Sequence, residues 1–438
     1  MGKVRVPLFR TVRGMRDFLP EEAELMKYIE NKAREIAQLY RYREVITPVV
    51  ESYELLAAKA GEEIRSRMYT FRDLGGRMVA LRPEFTASLA RLVSNKLRNK
   101  PKPLRLFCVG SLYRYDEPQR GRFREFWQSN YELVGSDKPE ADAEIIMLTN
   151  SLMNATGLKN CVFKVGHIGV LREILNEENL KEKVQNEIMQ LLDKKQYDDA
   201  IKRVKSDGAS RKCVIALKQL MKVKESGVFE TVKRMERQVR GFERAESAVK
   251  NLYEILELVL ESQKIDVIVE AGFARGLEYY TGMVFEVYVP QMDTALCGGG
   301  RYDRLIELFG GEPTAAVGIA HGLDRITLAM QKQKTWTKAP RENTVVIIPV
   351  KEEMKKEALK ISQKLRSKNL QVESEVMGRK VAKALGDADK RRISHAVIVG
   401  EKELKDGAVI LRDLKRRKQQ KVKIEKIAET IEAANQKT

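Results

Sequence analysis

Histidine and cysteine are both scarce in this 438-residue sequence. The three histidines, His167, His321 and His395, are too scattered to suggest a zinc site or a Ser-His-Asp triad. The four cysteines, Cys108, Cys161, Cys213 and Cys297, lie far apart and form no CxxC pair. Reduced thiols in a cytosolic protein are therefore expected. Long apolar runs are missing as well: none approaches the ~18 residues of a membrane span. The N-terminus MGKVRVPLFR lacks the apolar core of a signal peptide. A soluble, cytoplasmic protein without membrane contact is the expectation. No GxxxxGK[ST] occurs anywhere, so a P-loop is excluded. Acidic residues are outnumbered, 62 against 81 basic ones, and the net charge of +19 favours a polyanionic partner such as nucleic acid. The length predicts two or three domains, each able to build a core.

What is present centres on Leu104 to Gly135, LRLFCVGSLYRYDEPQRGRFREFWQSNYELVG. Two strand-like arms, Leu104 to Tyr113 and Glu125 to Val134, flank a polar loop with Pro118 and Gly121, as in an antiparallel hairpin. The loop and its edges carry Arg114, Arg120, Arg122 and Arg124. Such a density of guanidinium needs water or an anion, and the planar fork of Arg suits phosphate. In the second arm, Gln128 and Glu132 are four apart, which in a strand puts both on one face. A solvated basic hairpin would explain the same residues.

Around this hairpin the chain alternates helix and strand signals. Pro20 and two glutamates open a helix to about Tyr40 with Met26, Ile29, Ala33, Ile36 and Ala37 on one face. A short strand from Glu44 to Ile46 should end or lie at an edge, because Pro48 cannot donate to a ladder. Met78 to Leu81 is strand-like, and Pro83 and Glu84 open another helix. Glu84 there is either a carboxylate stabilised by the helix dipole or, with Thr86, an acceptor for an ammonium group. Lys138 to Thr156 reads as a helix, Cys161 to Val165 as a strand, and Gly166 to Val170 as a strand-to-helix turn. Leu171 to Ile265 is rich in Leu, Ile, Glu and Lys and nearly balanced in charge, which suggests an inserted helical subdomain. Strand-rich sequence resumes with IDVIVEAGFARGLEYYTGMVFEVYVP. The triple Gly298 to Gly300 is expected in a turn or at a close backbone approach. Gly318 to Met330 reads as strand, turn and helix, with Arg325 inside the helix.

Taken together, Glu84 to Thr86, Arg114 to Glu132, Phe273 to Glu286, Gly298 to Asp303 and Gly318 to Arg325 resemble the histidyl-tRNA synthetase family, in that family's order. The helix, strand and Pro48 look like motif 1 of class II synthetases, the hairpin like motif 2, and Gly318 to Arg325 like motif 3. ARGLEYYTGMVFE and GGGRYD resemble the two signatures that set the histidine enzymes apart. Two departures are Asp116, where motif 2 usually has Glu, and Trp127, where many members have His. GHIGV resembles the HIGH signature of class I synthetases, but no KMSKS-like partner accompanies it.

The resemblance implies an α+β catalytic domain, a class II antiparallel sheet flanked by helices, over residues 1–169 and 266–330. It further implies a helical insertion at 170–265, a linker at 331–341 and a C-terminal α/β anticodon-binding domain at 342–438. More than half of the excess positive charge falls from Arg341 onward, which fits a tRNA-contacting domain. The implied activity is ATP-dependent charging of tRNA(His) with L-histidine by a homodimer, with Mg²⁺ bound alongside ATP. Arg114 and Arg275 are the implied catalytic residues. Glu84, Phe85, Thr86, Arg114, Gln128, Glu132, Arg275, Tyr279 and Tyr280 would bind histidine. Arg114, Asp116, Arg122, Phe126 and Arg325 would bind ATP, and no resident metal site is implied. The alternatives are a non-catalytic paralogue that regulates ATP-phosphoribosyltransferase, or a class II synthetase for another amino acid. The basic C-terminal domain and the two histidine signatures argue against both.

Overall fold

The computed structural model describes residues 9–58, 61–119, 121–223, 227–273, 279–336 and 344–435. They fall into two compact units, Met1–Trp336 and Thr337–Thr438. The strands of the first unit, in chain order, are β1 (Arg43–Glu44), β2 (Val50–Ser52), β3 (Thr70–Arg72), β4 (Met78–Leu81), β5 (Leu104–Tyr113), β6 (Glu125–Val134), β7 (Val162–His167), β8 (Asp266–Val269), β9 (Met283–Tyr288), β10 (Cys297–Arg301) and β11 (Ala316–Gly322).

Eight of these form one sheet, ordered β1-β5-β6-β11-β10-β9-β7-β8. Its interior pairings are antiparallel, and each edge strand runs parallel to its neighbour. The expected hairpin is β5–β6, paired from Leu104↔Val134 to Tyr113↔Glu125. One face of β6 is core: Tyr131 and Leu133 are buried, and the Tyr131 hydroxyl donates to the carbonyl of Ala33 at 2.6 Å. That carbonyl belongs to the helix Pro20–Leu39, which buries Leu25, Met26, Ile29, Ala33, Ile36 and Ala37, one stripe of a 3.6-residue period. The Glu22 carboxylate accepts from the Leu19 N–H at 3.0 Å and caps the helix start. A second helix, Pro139–Ala155, contributes Ile145, Ile146, Leu148 and Leu152 to the same core.

The strand expected at Glu44 to Ile46 is shorter and earlier. Only Arg43–Glu44 pairs with β5, and it occupies the sheet edge. Beyond Pro48 the chain enters a separate three-stranded sheet, β2-β4-β3. The glycine triple also differs from a turn, because it lies inside β10, a central strand. A Cβ on Gly299 would sit 2.1 Å from the carbonyl oxygen of Gly318, and one on Gly300 2.4 Å from that of Met283. Close backbone approach is therefore the reason for these glycines.

At the end of β10, Arg301 is buried against the helix Pro139–Ala155. Its guanidinium pairs with Asp142, donates to the carbonyl of Ser136 at 2.9 Å, and reaches Asp303 at 3.1 Å. Between β7 and β8 run six described helices: Ile168–Glu177, Glu182–Asp193, Tyr197–Ser206, Arg211–Leu220, Val228–Gln238 and Glu243–Ser262. Their apolar faces join the main core through residues such as Ile174, Ile188, Leu217 and Leu252.

The second unit is a five-stranded sheet of β12 (Thr344–Pro349), β13 (Gln371–Ser374), β14 (His395–Val399), β15 (Ala408–Asp413) and β16 (Lys418–Lys423), ordered β13-β12-β14-β15-β16. The β12–β13 and β12–β14 pairings are parallel and the other two antiparallel. Along β12, Val345 and Ile347 pack on one face against Ile361 and Ile431, whereas Val346 and Ile348 pack on the other against Ala384 and Ala388. Both faces are covered, so this strand reads as a continuous apolar run.

Removing one partner of a buried ion pair leaves an uncompensated charge, at a cost of about 3–5 kcal/mol. Asp142→Ala is therefore expected to lower the unfolding free energy by ~3–5 kcal/mol in a urea titration. A loss below about 1 kcal/mol would mean that Asp303 alone suffices for Arg301.

Candidate active site

The face of β6 opposite the core opens into a cavity of about 330 Å³. Period-two alternation places Phe126, Gln128, Asn130 and Glu132 along it. Across the sheet, β11 presents Gly322 opposite Gln128 and Gly318 opposite Glu132. Gly318 leaves the space that the Glu132 carboxylate occupies. A Cβ on Gly318 would lie 1.6 Å from Glu132 Oε2.

Glu132 is 1% exposed, and both of its oxygens are engaged. Thr86 Oγ1 donates to Oε1 at 2.9 Å, and the Tyr302 hydroxyl donates to Oε2. Burial pushes the pKa up to about 7, against the pull of Tyr302, Thr86 and Asn130, while neighbouring Glu84 adds to the rise. Glu84 itself is raised by burial, opposed by Arg114 and by the Tyr279 hydroxyl, which donates to Glu84 Oε2 at 3.1 Å. Tyr279, Tyr280 and Tyr302 form one aromatic group, with ring centroids 4.9 Å apart for the first pair and 5.8 Å for Tyr279–Tyr302.

Cations line the other end. Arg114 leaves β5 directly, donates from Nε to the carbonyl of Pro83 at 2.9 Å, and lies 5.3 Å from the centroid of Phe126. Burial lowers its pKa, with Glu84 and Asp116 opposing, and a guanidinium stays charged throughout the physiological range. Arg122 approaches Asp116 at 3.8 Å, and Arg67 reaches the same buried carboxylate at 3.1 Å. Arg325 stands in the first turn of the helix Leu323–Gln333 and donates to the carbonyl of Ala295 at 2.7 Å.

The cavity thus brings together Glu84, Thr86, Arg114, Asp116, Arg122, Phe126, Gln128, Glu132, Tyr279, Tyr280 and Arg325 from sequence-distant segments. Phe85 is not among them. It is buried in the main core, with the Arg82 guanidinium 4.4 Å from its ring centroid. The helix begins at Thr86, so Phe85 turns inward between two cavity-lining neighbours. Arg275 lies outside the described residues. Tyr302 and Asn130 also line the cavity, although neither was picked out for the site from sequence. Tyr302 follows the glycine triple and Asn130 shares the parity of Gln128 and Glu132, so the strand period carried a signal for Asn130.

Chemically, the cavity joins a buried acidic and hydroxyl-rich end to an arginine-rich end through Arg114. The first suits a small cationic or N–H-donating ligand, and the second suits phosphates. Among the described residues, no group of three or more His, Cys, Asp or Glu could hold a metal ion, and no helix is long and apolar enough to cross a membrane.

Comparison with known proteins agrees in both units. The family profile described as "Histidyl-tRNA synthetase" matches residues 14–326, and that described as "Anticodon binding domain" matches residues 344–434. The histidine–tRNA ligase of Methanocaldococcus jannaschii is 44% identical over 412 residues, covering 93% of this chain and 96% of its own length. The histidine–tRNA ligase of Pyrococcus furiosus is 37% identical, covering 98% of this chain and 99% of its own length. Among solved structures, histidyl-tRNA synthetase from Nostoc sp. PCC 7120 superposes with a TM-score of 0.79 at 24% identity, covering 98% of this chain and 100% of that one. With its catalytic-type sheet, its arginine-lined cavity and a separate second module, this chain belongs to the histidyl-tRNA synthetase family.

Proposed function

We propose that this protein is a histidine–tRNA ligase, an ATP-dependent enzyme that makes histidyl-adenylate and transfers histidine to the 3′ end of tRNA(His). The observation that carries this reading is the cavity itself: a buried acidic pocket meets a row of arginines at Arg114, in a chain matched by its family along nearly its full length. A carboxylate oxygen of histidine attacks the α-phosphorus of ATP and pyrophosphate leaves. A terminal ribose hydroxyl of the tRNA then attacks the activated carbonyl and AMP leaves. Both steps develop negative charge on oxygen, so fixed cations lower both barriers.

In this reading Arg114 holds the α-phosphate and the histidine carboxylate, and Arg275 supports the same charge. Arg122 and Arg325 hold the outer phosphates, and Phe126 stacks on adenine. Asp116, paired with Arg67 and near Arg122, orients the phosphate-binding arginine. Glu84, Thr86 and Gln128 receive the α-ammonium, with Tyr279 positioning Glu84. Glu132 and Tyr280 read the imidazole. Mg²⁺ bound with ATP would supply charge neutralisation at its phosphates.

The catalytic domain comprises 1–169 and 266–330, with the insertion at 170–265, the linker at 331–341 and the anticodon-binding domain at 342–438. The protein works in the cytoplasm as a homodimer joined through the motif 1 region. There Ile46 is 93% exposed and Val49 and Val50 stay open beside the β1 edge. The match of residues 344–434 to an anticodon-binding profile weighs against a purely regulatory paralogue.

ATP–pyrophosphate exchange with each of the twenty amino acids tests the reading, and histidine alone should support it. Arg275→Ala is expected to cut that exchange by ~10²–10³, the usual loss for one charge-stabilising donor. Wild-type exchange in the variant would remove Arg275 from the mechanism.

Glu132→Gln should raise KM for histidine far more than KM for ATP, and Tyr280→Phe should do so more mildly. The pH profile gives a second readout. With Glu132 titrating near 7, kcat/KM for histidine rises as the carboxylate ionises with increasing pH and falls as pH drops below that value. The limb due to free histidine remains in Glu132→Gln, so the difference between the two profiles belongs to Glu132. Identical profiles would place imidazole recognition elsewhere.

Residues 1–336 alone should still activate histidine but charge tRNA poorly, and with a shallower dependence on salt than the full chain. Equal charging by both proteins would rule out the proposed role of the second unit.

A further inference from the structure

Behind the β5–β6 loop lies a second, smaller cavity of about 190 Å³, lined by Arg16, Phe18, Phe123, Asp324 and Leu328 among others. The segment from Arg13 to Phe18 fastens the loop there at several points. Arg124 N–H donates to the carbonyl of Gly14 at 2.8 Å. Gly14 has φ +84°, and a Cβ there would lie 2.7 Å from the Arg124 side chain, so this contact requires glycine. Arg13 pairs with Glu117 at 3.0 Å, but both are exposed and the pair contributes little.

Arg16 is the centre of the contact. Its guanidinium lies 3.5 Å from the ring centroid of Phe123, on the loop, and 4.5 Å from that of Phe18. It also forms an ion pair with Asp324, whose side chain is only 4% exposed. Asp324 Oδ2 in turn accepts the backbone N–H of Trp127 at 2.7 Å, and the Phe18 and Trp127 rings meet edge to face at 5.1 Å. One planar cation therefore joins the loop at Phe123 to the first turn of the helix Leu323–Gln333 at Asp324, and Asp324 carries the link on to β6 through the Trp127 N–H.

The neighbours of these anchors give the contact its consequence. Asp324 precedes Arg325, Trp127 follows Phe126, and Phe123 follows Arg122. Each anchor is thus adjacent in sequence to a residue of the proposed ATP site. We propose that Arg16 is a positioning residue for ATP: it fixes the β5–β6 loop against the helix Leu323–Gln333, so that Arg122, Phe126 and Arg325 are set before the nucleotide arrives. The inference rests on the assignment of those three residues to ATP. A loop ordered in advance does not charge its ordering entropy against binding, so loosening it weakens ATP without touching the histidine pocket.

The test is ATP–pyrophosphate exchange by the full-length protein, with KM measured separately for ATP and histidine. Arg16→Ala should raise KM for ATP about tenfold, the scale of a lost partly desolvated cation–π contact and its ion pair, and leave KM for histidine within about twofold. Partial unfolding lowers kcat but moves neither KM, so the split separates positioning from mere stability. Phe123→Leu, which keeps the ion pair and loses the ring, provides a second route if Arg16→Ala does not fold. The double variant Arg16→Ala/Phe123→Leu should raise KM for ATP no more than the worse single variant, because both break one contact. Arg16→Lys keeps the charge but not the flat face, and should recover only part of the loss.

An unchanged KM for ATP in Arg16→Ala and Phe123→Leu, while Arg325→Ala raises it, would overturn the positioning role and leave the ATP site standing. Equal rises in both Michaelis constants would overturn it as well. An unchanged KM for ATP in Arg122→Ala and Arg325→Ala would overturn the ATP assignment, and the positioning role with it.

Discussion

A carboxyl group 1% exposed in the middle of a sheet is stable only where donors meet its oxygens, and Glu132 imposes that condition on three distant segments. Thr86 must stand at the head of its helix to donate to Oε1, which ties Thr86–Lys96 to the sheet. Tyr302 must leave the end of β10 to donate to Oε2. Gly318 must lack a Cβ, because Oε2 occupies the space over β11. Gly299 must then also lack one, because β10 runs beside β11 with the Gly318 carbonyl 2.1 Å from where its Cβ would be. Segments that look like separate signatures in the sequence are thus solutions to a single packing problem.

The arginines obey a complementary rule. Carbonyl oxygens orient two of them, Arg114 through Pro83 and Arg325 through Ala295, and Arg122 stands 3.8 Å from Asp116. A carbonyl orients a guanidinium while leaving its net charge available to an incoming anion. Arg301 shows the contrast. Asp142, Asp303 and the Ser136 carbonyl consume its donors, and it serves packing between β10 and the helix Pro139–Ala155. Arg114, Arg122 and Arg325 line the cavity, whereas the Arg301 guanidinium is taken up by its carboxylate partners.

Sequence carried the local part of this arrangement. The hairpin limits, Leu104–Tyr113 and Glu125–Val134, follow from alternation and turn residues, and alternation also put Gln128 and Glu132 on one face. The helix Pro20–Leu39 follows from its apolar period and its proline. Long-range pairings were not legible. Tyr302 is 170 residues from Glu132, and Arg301 is 159 from Asp142, so no local pattern links them. The glycine triple was ambiguous between turn and close approach because glycine serves both, and only the neighbouring strands decide. The resemblance puts Phe85 beside Glu84 and Thr86 in the histidine site, but around a helix start adjacent residues point in different directions, and its ring belongs to the core.

On the proposed reading, the same geometry lets the pocket distinguish imidazole from other side chains of its size. Shape alone discriminates weakly, by about 1–3 kcal/mol for a missing methylene, whereas a site built around a polar group rejects ligands that leave it unpaired. Thr86 and Tyr302 both donate into Glu132. Their hydroxyl hydrogens are thereby committed, and the carboxylate turns only acceptor capacity toward the cavity. A pKa near 7 means that this state is held against the cost of burial with little to spare. On the proposed reading, a ligand offering an N–H to Glu132 stabilises the ionised form, and an isosteric apolar ring leaves a buried carboxylate to be protonated or unpaired. The burial that makes the carboxylate costly is what makes its recognition selective.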